Sequence, residues 1–504
     1  MISTFHGLQV AKRGMDAQQS ALYTVGQNIA NANTPGYTRQ RVTFEASTPY
    51  PTPGMNRPGV TGQLGTGVDA KTIERVRDQF LDVQYRGETV KVGYWNAKSA
   101  AIDKMEEILN EPSEDGLSAT FDQFFEALQD VAANPSNAGA RSVARERANA
   151  IADTFTYLST SLEVIQGDLQ SEIDVTVKQM NSVLEQINNV NKQINDIEVH
   201  GYLPNDLYDE RDRLLDELSQ FVEFDVQYDQ TSGNSLPLAE GTVTVTMQTA
   251  NGPVTLVNGQ TRQAAAFTIN DTDGSVTDVR VGGQTLSPAN LSQGKLKGLI
   301  ESAGYVDENG QTKGVYSDML ASLDKMAFEF VNWFNGQHEQ GVTLDGQTGV
   351  SFFNPITEGK GAAKSITLSN EIIQSTNNIA AASQSQIEGD RKGDGSNALA
   401  LANFRDSVLI QLTDDQTVSM KEYYQSLIGQ MAVNGQQANR LKGNSETLQQ
   451  AVEQRKQSTS SVSIDEEMSN MIQFQHAYNA SARMVTMIDE MLDRIINGLG
   501  TGGR

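Results

Sequence analysis

The chain has 504 residues, and 63 aspartates and glutamates outnumber 38 lysines and arginines, a formal net charge of −25. That balance has the wrong sign for neutralising phosphates and argues against nucleic acid or an anionic membrane as partner. With no cysteine and four widely spaced histidines (His6, His200, His338, His476), it also excludes disulfides, thiolate metal sites and cysteine nucleophiles.

At the N-terminus, Met1 to Arg13 reads MISTFHGLQVAKR, with the basic pair after the apolar positions. Neither a secretory leader nor a membrane span is expected, and composition alone reads as a soluble cytoplasmic chain. Leu8, Ala11, Met15, Gln18, Leu22, Val25, Ile29 and Ala32 alternate three and four apart, a seam for helix-on-helix packing. Gly7, Gly14 and Gly26 each cost this helix about 1 kcal/mol relative to alanine. It is expected to order mainly when packed. The helix should stop before Pro35, and Thr34-Pro35-Gly36-Tyr37 fits a type II turn.

Pro49, Pro51, Pro53 and Pro58 make residues 38–79 extended chain and short strands. Helix returns from Asp78 to about Glu111, with Trp95, Ile102, Met105 and Leu109 on one face, until Pro112 to Gly116 breaks it. A second helix starts at Leu117, carries Phe121, Phe124, Phe125 and Leu128, and ends at Asn134-Pro135. The longest signal runs from about Gly139 to Val199 along Ala144, Ala148, Ile151, Phe155, Leu158, Leu162, Ile165, Leu169, Ile173, Val177, Met180, Leu184 and Ile187. The steps of four from Ile165 to Val177 amount to a stutter. Unbroken, this helix is about 90 Å long, more than a compact domain needs.

Near Val226 the period changes to two. Thr242 to Met247 alternates strictly, Asn251-Gly252 and Asn258-Gly259 offer hairpin turns, and Phe267 to Gly283 adds strand-like runs. Helix resumes over Tyr316–Gln340, a Gly/Asn/Ser-rich and partly β stretch covers 341–395, and helices return from Asn397 to about Lys456. Helical spacing closes the chain through Ile464, Met468, Met471, Gln475, Tyr478, Ala482, Val485, Asp489, Leu492, Ile496 and Leu499, with a second stripe of Met484, Ile488, Met491 and Ile495. A helix apolar on two sides expects neighbours on two sides.

Enzymatic readings fare poorly. Gly359-Lys360-Gly361-Ala362-Ala363-Lys364-Ser365 has Ala363 where a phosphate loop needs glycine. Asp271-Thr272-Asp273-Gly274 starts like a calcium loop but reads as a β-turn. The acidic run Asn205 to Arg213 reads as a helix start, capped by Asn205 or Asp206 with Asp209 facing Arg213 at i,i+4. His338-Glu339 lacks the second histidine of a zinc protease, and His476 reads as a packing residue. No catalytic residue, metal site or cofactor is expected.

The stretch Asn28-Ile29-Ala30-Asn31-Ala32-Asn33-Thr34-Pro35-Gly36-Tyr37 resembles the N-terminal signature of the bacterial flagellar rod, hook and hook-associated protein family. Its continuation Thr38-Arg39-Gln40 is most similar to the hook–filament junction branch. So are Gly65-Thr66-Gly67-Val68, Arg75, Arg77-Asp78, Asn134-Pro135, Asn205-Asp206-Leu207, Arg211-Asp212, Gly393 to Ala398, Gln475, Ala477-Tyr478 and Ala480 to Arg483. The glycine-rich tail after Leu499 departs from the pattern.

The fold expected is mainly α: an elongated helical-bundle or coiled-coil rod formed by the N- and C-terminal regions, with an inserted β domain. Residues 1–37 and 461–504 would be terminal coiled-coil helices of an inner tube, disordered in the monomer. Residues 38–225, 293–340 and 396–460 would form the helical rod domain, 226–292 an outward-facing β domain, and 341–395 a loop-rich insertion. The resemblance implies a non-enzymatic junction subunit exported without a cleaved signal and placed outside the cell. Implied partners are hook protein, hook-associated protein 3, an export chaperone on the C-terminal helix, and copies of itself in a ring. Axial assembly would rest on Leu8, Met15, Leu22, Val25, Ile29, Asn31, Thr34, Pro35, Gly36 and Tyr37, together with Ile464, Met468, Met471, Gln475, Tyr478, Ala482, Val485 and Leu492. Alternatives are another rod or hook subunit, or a secreted enzyme or adhesin carrying flagellar-type ends.

Overall fold

The computed structural model describes residues 4–499 except 53, 56–61, 112, 114–115, 250, 385–391, 407–408 and 414–415. Pro53, Pro58, Pro112 and the glycine-rich tail therefore lie outside the described residues. Helix α1 spans Thr4–Ala30. Beyond it, the Tyr37 N–H donates to Thr34 O at 3.2 Å and Gly36 has φ 83°, the expected type II turn. Strands β1 (Gln40–Ala46) and β2 (Val68–Arg75) pair antiparallel. Helix α2 (Gln79–Leu109) starts where the Asp78 carboxylate accepts from the Phe80 N–H, and ends at Asn110 in the left-handed region. Helix α3 (Leu117–Ala133) follows.

Helix α4 (Ala138–Glu198) runs 61 residues without a break, so the stutter does not interrupt it. The Asn137 carboxamide caps its start by accepting from Gly139 and Ala140. Its expected seam is buried except Ile165, which is half-buried. After α5 (Asn205–Leu218) come β3 (Asp225–Asp229), β4 (Thr242–Thr249), β5 (Gly252–Asn258), β6 (Gln263–Ala264), β7 (Phe267–Thr272), β8 (Ser275–Val281) and β9 (Gln284–Leu286). Next are α6 (Lys295–Ala303), β10 (Tyr305–Val306), β11 (Thr312–Lys313) and α7 (Val315–His338). One sheet has the order β3-β4-β5-β6 and the other β11-β10-β8-β7, with β9 on β8. The β region thus extends past 292, because Tyr305 pairs in parallel with Val276.

Two carboxamides of α4 hold these sheets by imitating a neighbouring strand. Asn191 donates to Val243 O at 2.9 Å and accepts from its N–H at 3.0 Å. Asn181 does the same with Phe267, at 2.9 and 2.7 Å. Val243, Val245, Leu256, Val279 and Val281 complete the buried faces.

The stretch 341–395 holds β12 (Gly341–Val342), α8 (Ala362–Ser365), α9 (Asn370–Gln374) and β13 (Ala382–Ser383). It is not a peripheral insertion. Phe352 and Phe353 are fully buried against Phe124, Phe330 and Phe334, with Phe334–Phe352 ring centroids 4.9 Å apart. The fully buried Arg141 guanidinium ties the same stretch to α4, donating to Pro135 O, Thr376 O and Ile379 O. After α10 (Ser396–Ala402), a hairpin of β14 (Leu409–Thr413) and β15 (Gln416–Ser419) stands within the stretch of helices expected from Asn397 to about Lys456. Helix α11 (Met420–Ser460) begins with a Ser419–Glu422 capping box and runs antiparallel to α2, with contacts Ser99–Asn439 and Gln449–Thr89. Helix α12 (Ile464–Leu499) ends the chain.

His338 is a satisfied core residue. Its Nδ1–H donates to Val350 O at 2.7 Å while Nε2 accepts from Ala380 N–H at 2.8 Å, which fixes a neutral ring. Burial lowers its pKa from 6.5 to about 4, and nearby Arg141 adds to the effect. Between those values the unfolded chain takes up the proton first, so the ring's contribution to stability falls as pH drops through the window, by at most about 1.4 kcal/mol per pH unit. The thermal midpoint should fall on acidification from pH 6.5 towards 4, and less steeply in His338→Gln. Equal slopes in the two proteins would contradict this role.

Candidate assembly interface

The two chain ends form one antiparallel pair, and the residues between them are small. A Cβ on Gly7 would lie 3.2 Å from Ile488 Cδ1, and one on Gly14 3.2 Å from Ser481 Oγ. Ala11, Ala17, Ala21, Val25 and Asn28 are buried. The side of α1 that meets α12 is therefore largely Gly and Ala, with Val25 and Asn28 towards its end. Leu8, Met15, Leu22 and Ile29 are half-buried beside it. The large residues carry the periodicity, but the smallest ones allow the closest approach.

On α12, Met471, Tyr478, Ala482, Val485 and Leu492 are half-buried, whereas Ile464, Met468 and Gln475 are exposed. Ile488 of the second stripe is buried; Met484, Met491 and Ile495 stay exposed. His476 is also exposed, contrary to its reading as a packing residue. Thr34, Pro35 and Gly36 are exposed at the turn, with Asn31 and Tyr37 half-buried. The Asn31 carboxamide donates back to Gln27 O, and the Tyr37 hydroxyl donates to Asn28 Oδ1.

Beneath the turn lies a buried ionic knot. Asp212 of α5 is 1 % exposed and faces Arg75 at 2.9 Å, Arg77 at 3.4 Å and Arg86 at 3.4 Å. Asp209 accepts from Arg75 at 2.7 Å and from the Thr38 N–H at 3.0 Å. Glu240, ahead of β4, takes Arg75 and Arg211, both at 2.5 Å. Lys456 of α11 reaches Asp82 at 3.3 Å and Asp216 at 2.5 Å. One cluster thus joins the N-terminal arm, α2, α5, the first sheet and α11.

Burial pushes the Asp212 carboxyl up, but Arg77, Arg211, Arg75 and Arg86 outweigh it and hold it well below the usual carboxylate range. Burial likewise works against the Arg75 cation, and Asp212, Glu240 and Asp209 together raise its pKa. For Asp209 burial wins over Arg75 and its pKa is raised.

The start of α5 differs from the expected cap by Asn205 or Asp206. Pro204 sits at the cap position without a side-chain bond, and the Asn205 carboxamide donates to Ile73 O. Arg213 pairs with Glu210 and Glu217, not with Asp209. The spacing of Asp209, Asp212 and Asp216 (i, i+3, i+7) places three acids on one helix face, which was the available signal.

The other rejected motifs are accounted for locally. The Asp324 carboxylate occupies the phosphate-loop-like turn, accepting from the Gly361 and Ala363 N–H groups at 2.7 and 2.9 Å. Asp273 and Gly274, at φ 50° and 80°, form the turn between β7 and β8. Among the described residues, no helix is long and apolar enough to cross a membrane.

Residues 102–353 match the family model "Flagellar hook-associated protein FlgK helical domain". Residues 8–38 match "Flagella basal body rod protein" and residues 453–498 match "Flagellar basal body rod FlgEFG protein C-terminal". The chain is 43% identical over 519 residues to flagellar hook-associated protein 1 of Bacillus subtilis, covering 100% of each. It is 27% identical over 378 residues to flagellar hook-associated protein 1 of Salmonella typhimurium, covering 73% of this chain and 63% of that one. The solved flagellar hook junction protein FlgK from Burkholderia pseudomallei superimposes with a TM-score of 0.58 at 16% identity, over 77% of this chain and 100% of that one, a likeness of fold.

Removing one partner of a buried ion pair strands the others in low dielectric and costs about 3–5 kcal/mol. Asp212→Ala is expected to lose stability of that size in chemical denaturation, and Asp225→Ala, on a partly solvated strand, far less. Similar small losses in both would remove the knot from its central place.

Proposed function

The chain belongs to the flagellar hook-associated protein 1 family, and from that premise we propose that it is a non-enzymatic structural subunit connecting hook to filament in the bacterial flagellum. The observation that carries this reading is the apolar surface left open on the terminal pair. Ile464, Met468 and Ile472 form one exposed patch of α12, and Met484, Met487, Met491 and Ile495 another, each residue between 45% and 53% exposed. At 3.6 residues per turn the twenty residues from Ile464 to Met484 leave the patches about half a turn out of phase. Such a helix offers apolar surface in two directions, as a subunit between unlike neighbours requires.

In this reading hook protein lies on one side and hook-associated protein 3 on the other, with copies of the chain closing a ring. Before assembly the same methionines would invite premature association. An export chaperone covering α12 meets that problem. The glycines of α1 keep the pair loose in the free chain, and docking orders it.

Limited proteolysis should cut residues 1–37 and 461–504 well before the middle of the chain. Ends as resistant as the middle would contradict ordering on docking. Deleting the gene should leave hooks without filaments, and loss of the hook itself would assign the chain to an earlier axial part. Val485→Asp should leave unfolding of the middle unchanged and abolish filament attachment; normal swimming would overturn the assembly role of α12.

A further inference from the structure

The pairing of α1 with α12 follows one arithmetic. Gly7 meets Ile488, Gly14 meets Ser481, and Asn28 meets Glu467, so successive pairs are separated by one and then two heptads in both helices. Ala21 and Phe474 fall at the remaining step. Two of these layers set Gly against a larger residue, and the third puts Ala21 at the level of Phe474, whose ring meets Phe44 of β1 at 6.1 Å. A seam of that kind tolerates displacement by one heptad, since a small residue again meets whatever arrives.

The fourth layer is different. Asn28 and Glu467 are 1 % and 2 % exposed. The Asn28 carboxamide donates to Glu467 Oε2 at 3.0 Å and to Gln40 O at 2.8 Å. It accepts from Gln40 N–H at 3.0 Å and from the Tyr37 hydroxyl at 2.9 Å. Arg39 Nε donates to the other Glu467 oxygen at 2.8 Å. Moved one heptad, Glu467 would face Ala21 with no donor, and a buried carboxylate without partners is strongly disfavoured. The link Ser461-Val462-Ser463 does not hold the register alone, because unwinding about five residues at the end of α11 would lengthen it by about 10 Å, at about 2 Å per residue.

We propose that Asn28 and Glu467 are the positioning residues that set the register of the terminal pair, and hence the height at which the patches of α12 are offered to adjoining subunits. The second half of that statement rests on the assembly role above; the register itself does not. A slip of one heptad would move the patches by about 10 Å along the axis.

The natural absence of cysteine makes disulfide trapping clean. A Cβ built on Gly14 lies 4.0 Å from Ser481 Cβ, within disulfide range. The full-length chain carrying G14C with S481C should cross-link under mild oxidation, and G7C with S481C, one heptad out, should not. Oxidation traps docked ends whatever their population. In Glu467→Ala the G7C–S481C product should rise several-fold while the G14C–S481C product falls. Glu467→Gln keeps an acceptor for Asn28 and should retain the original pattern. If Glu467→Ala still links only position 14, or links neither, the register is set elsewhere and the proposal is wrong. Because the assay reads the chain in solution, a failed junction role would leave its result standing.

Discussion

A carboxylate cut off from water must be surrounded by cations, and Asp212 imposes that condition on the whole molecule. Its companions arrive from β2, from the link after it, and from α2, while Arg75 turns its other side to Glu240 beside the first sheet. None of these segments could take up another position without leaving a charge unpaired in low dielectric. The rod, the first sheet and the base of the terminal pair meet at this point because it fixes them to each other. The exposed apolar surfaces of the terminal pair gain their geometry from it indirectly.

What could be read from the chain depended on distance in sequence. The helices around Ala144–Ile187 and the Thr34–Tyr37 turn follow from local spacing and from proline and glycine stereochemistry, and both stand as expected. The role of α5 did not follow. Its acids look like the first turn of a surface helix until the arginines more than a hundred positions earlier are folded against them. The same holds for Phe352 and Phe353, whose loop-like neighbourhood hides ring partners on α3 and α7.

In the terminal pair, periodicity located the helices, and the closest approach between them falls beside the largest seam residues. Leu8, Met15, Leu22 and Ile29 stand out because they are large, while Gly7 and Gly14, one position before Leu8 and Met15, form the closer contact. Hydrophobic pattern measures what a helix can bury; close approach measures what it lacks. The polar layer of Asn28 and Glu467 left no sign in that pattern, since each residue alone reads as solvated.

The attachment of the two sheets has a consequence for how the protein can diverge. Asn191 and Asn181 bond to the main chain of Val243 and Phe267, not to their side chains. Val243 and Phe267 are themselves buried, so exchange for another apolar residue of similar size keeps both the core and the main-chain bonds. Mutational drift at the solvent-facing positions of these strands is thereby decoupled from their attachment to α4. A lineage under pressure to alter its surface could rewrite the solvent-facing half of those strands while the buried half and two asparagines on α4 stay constant.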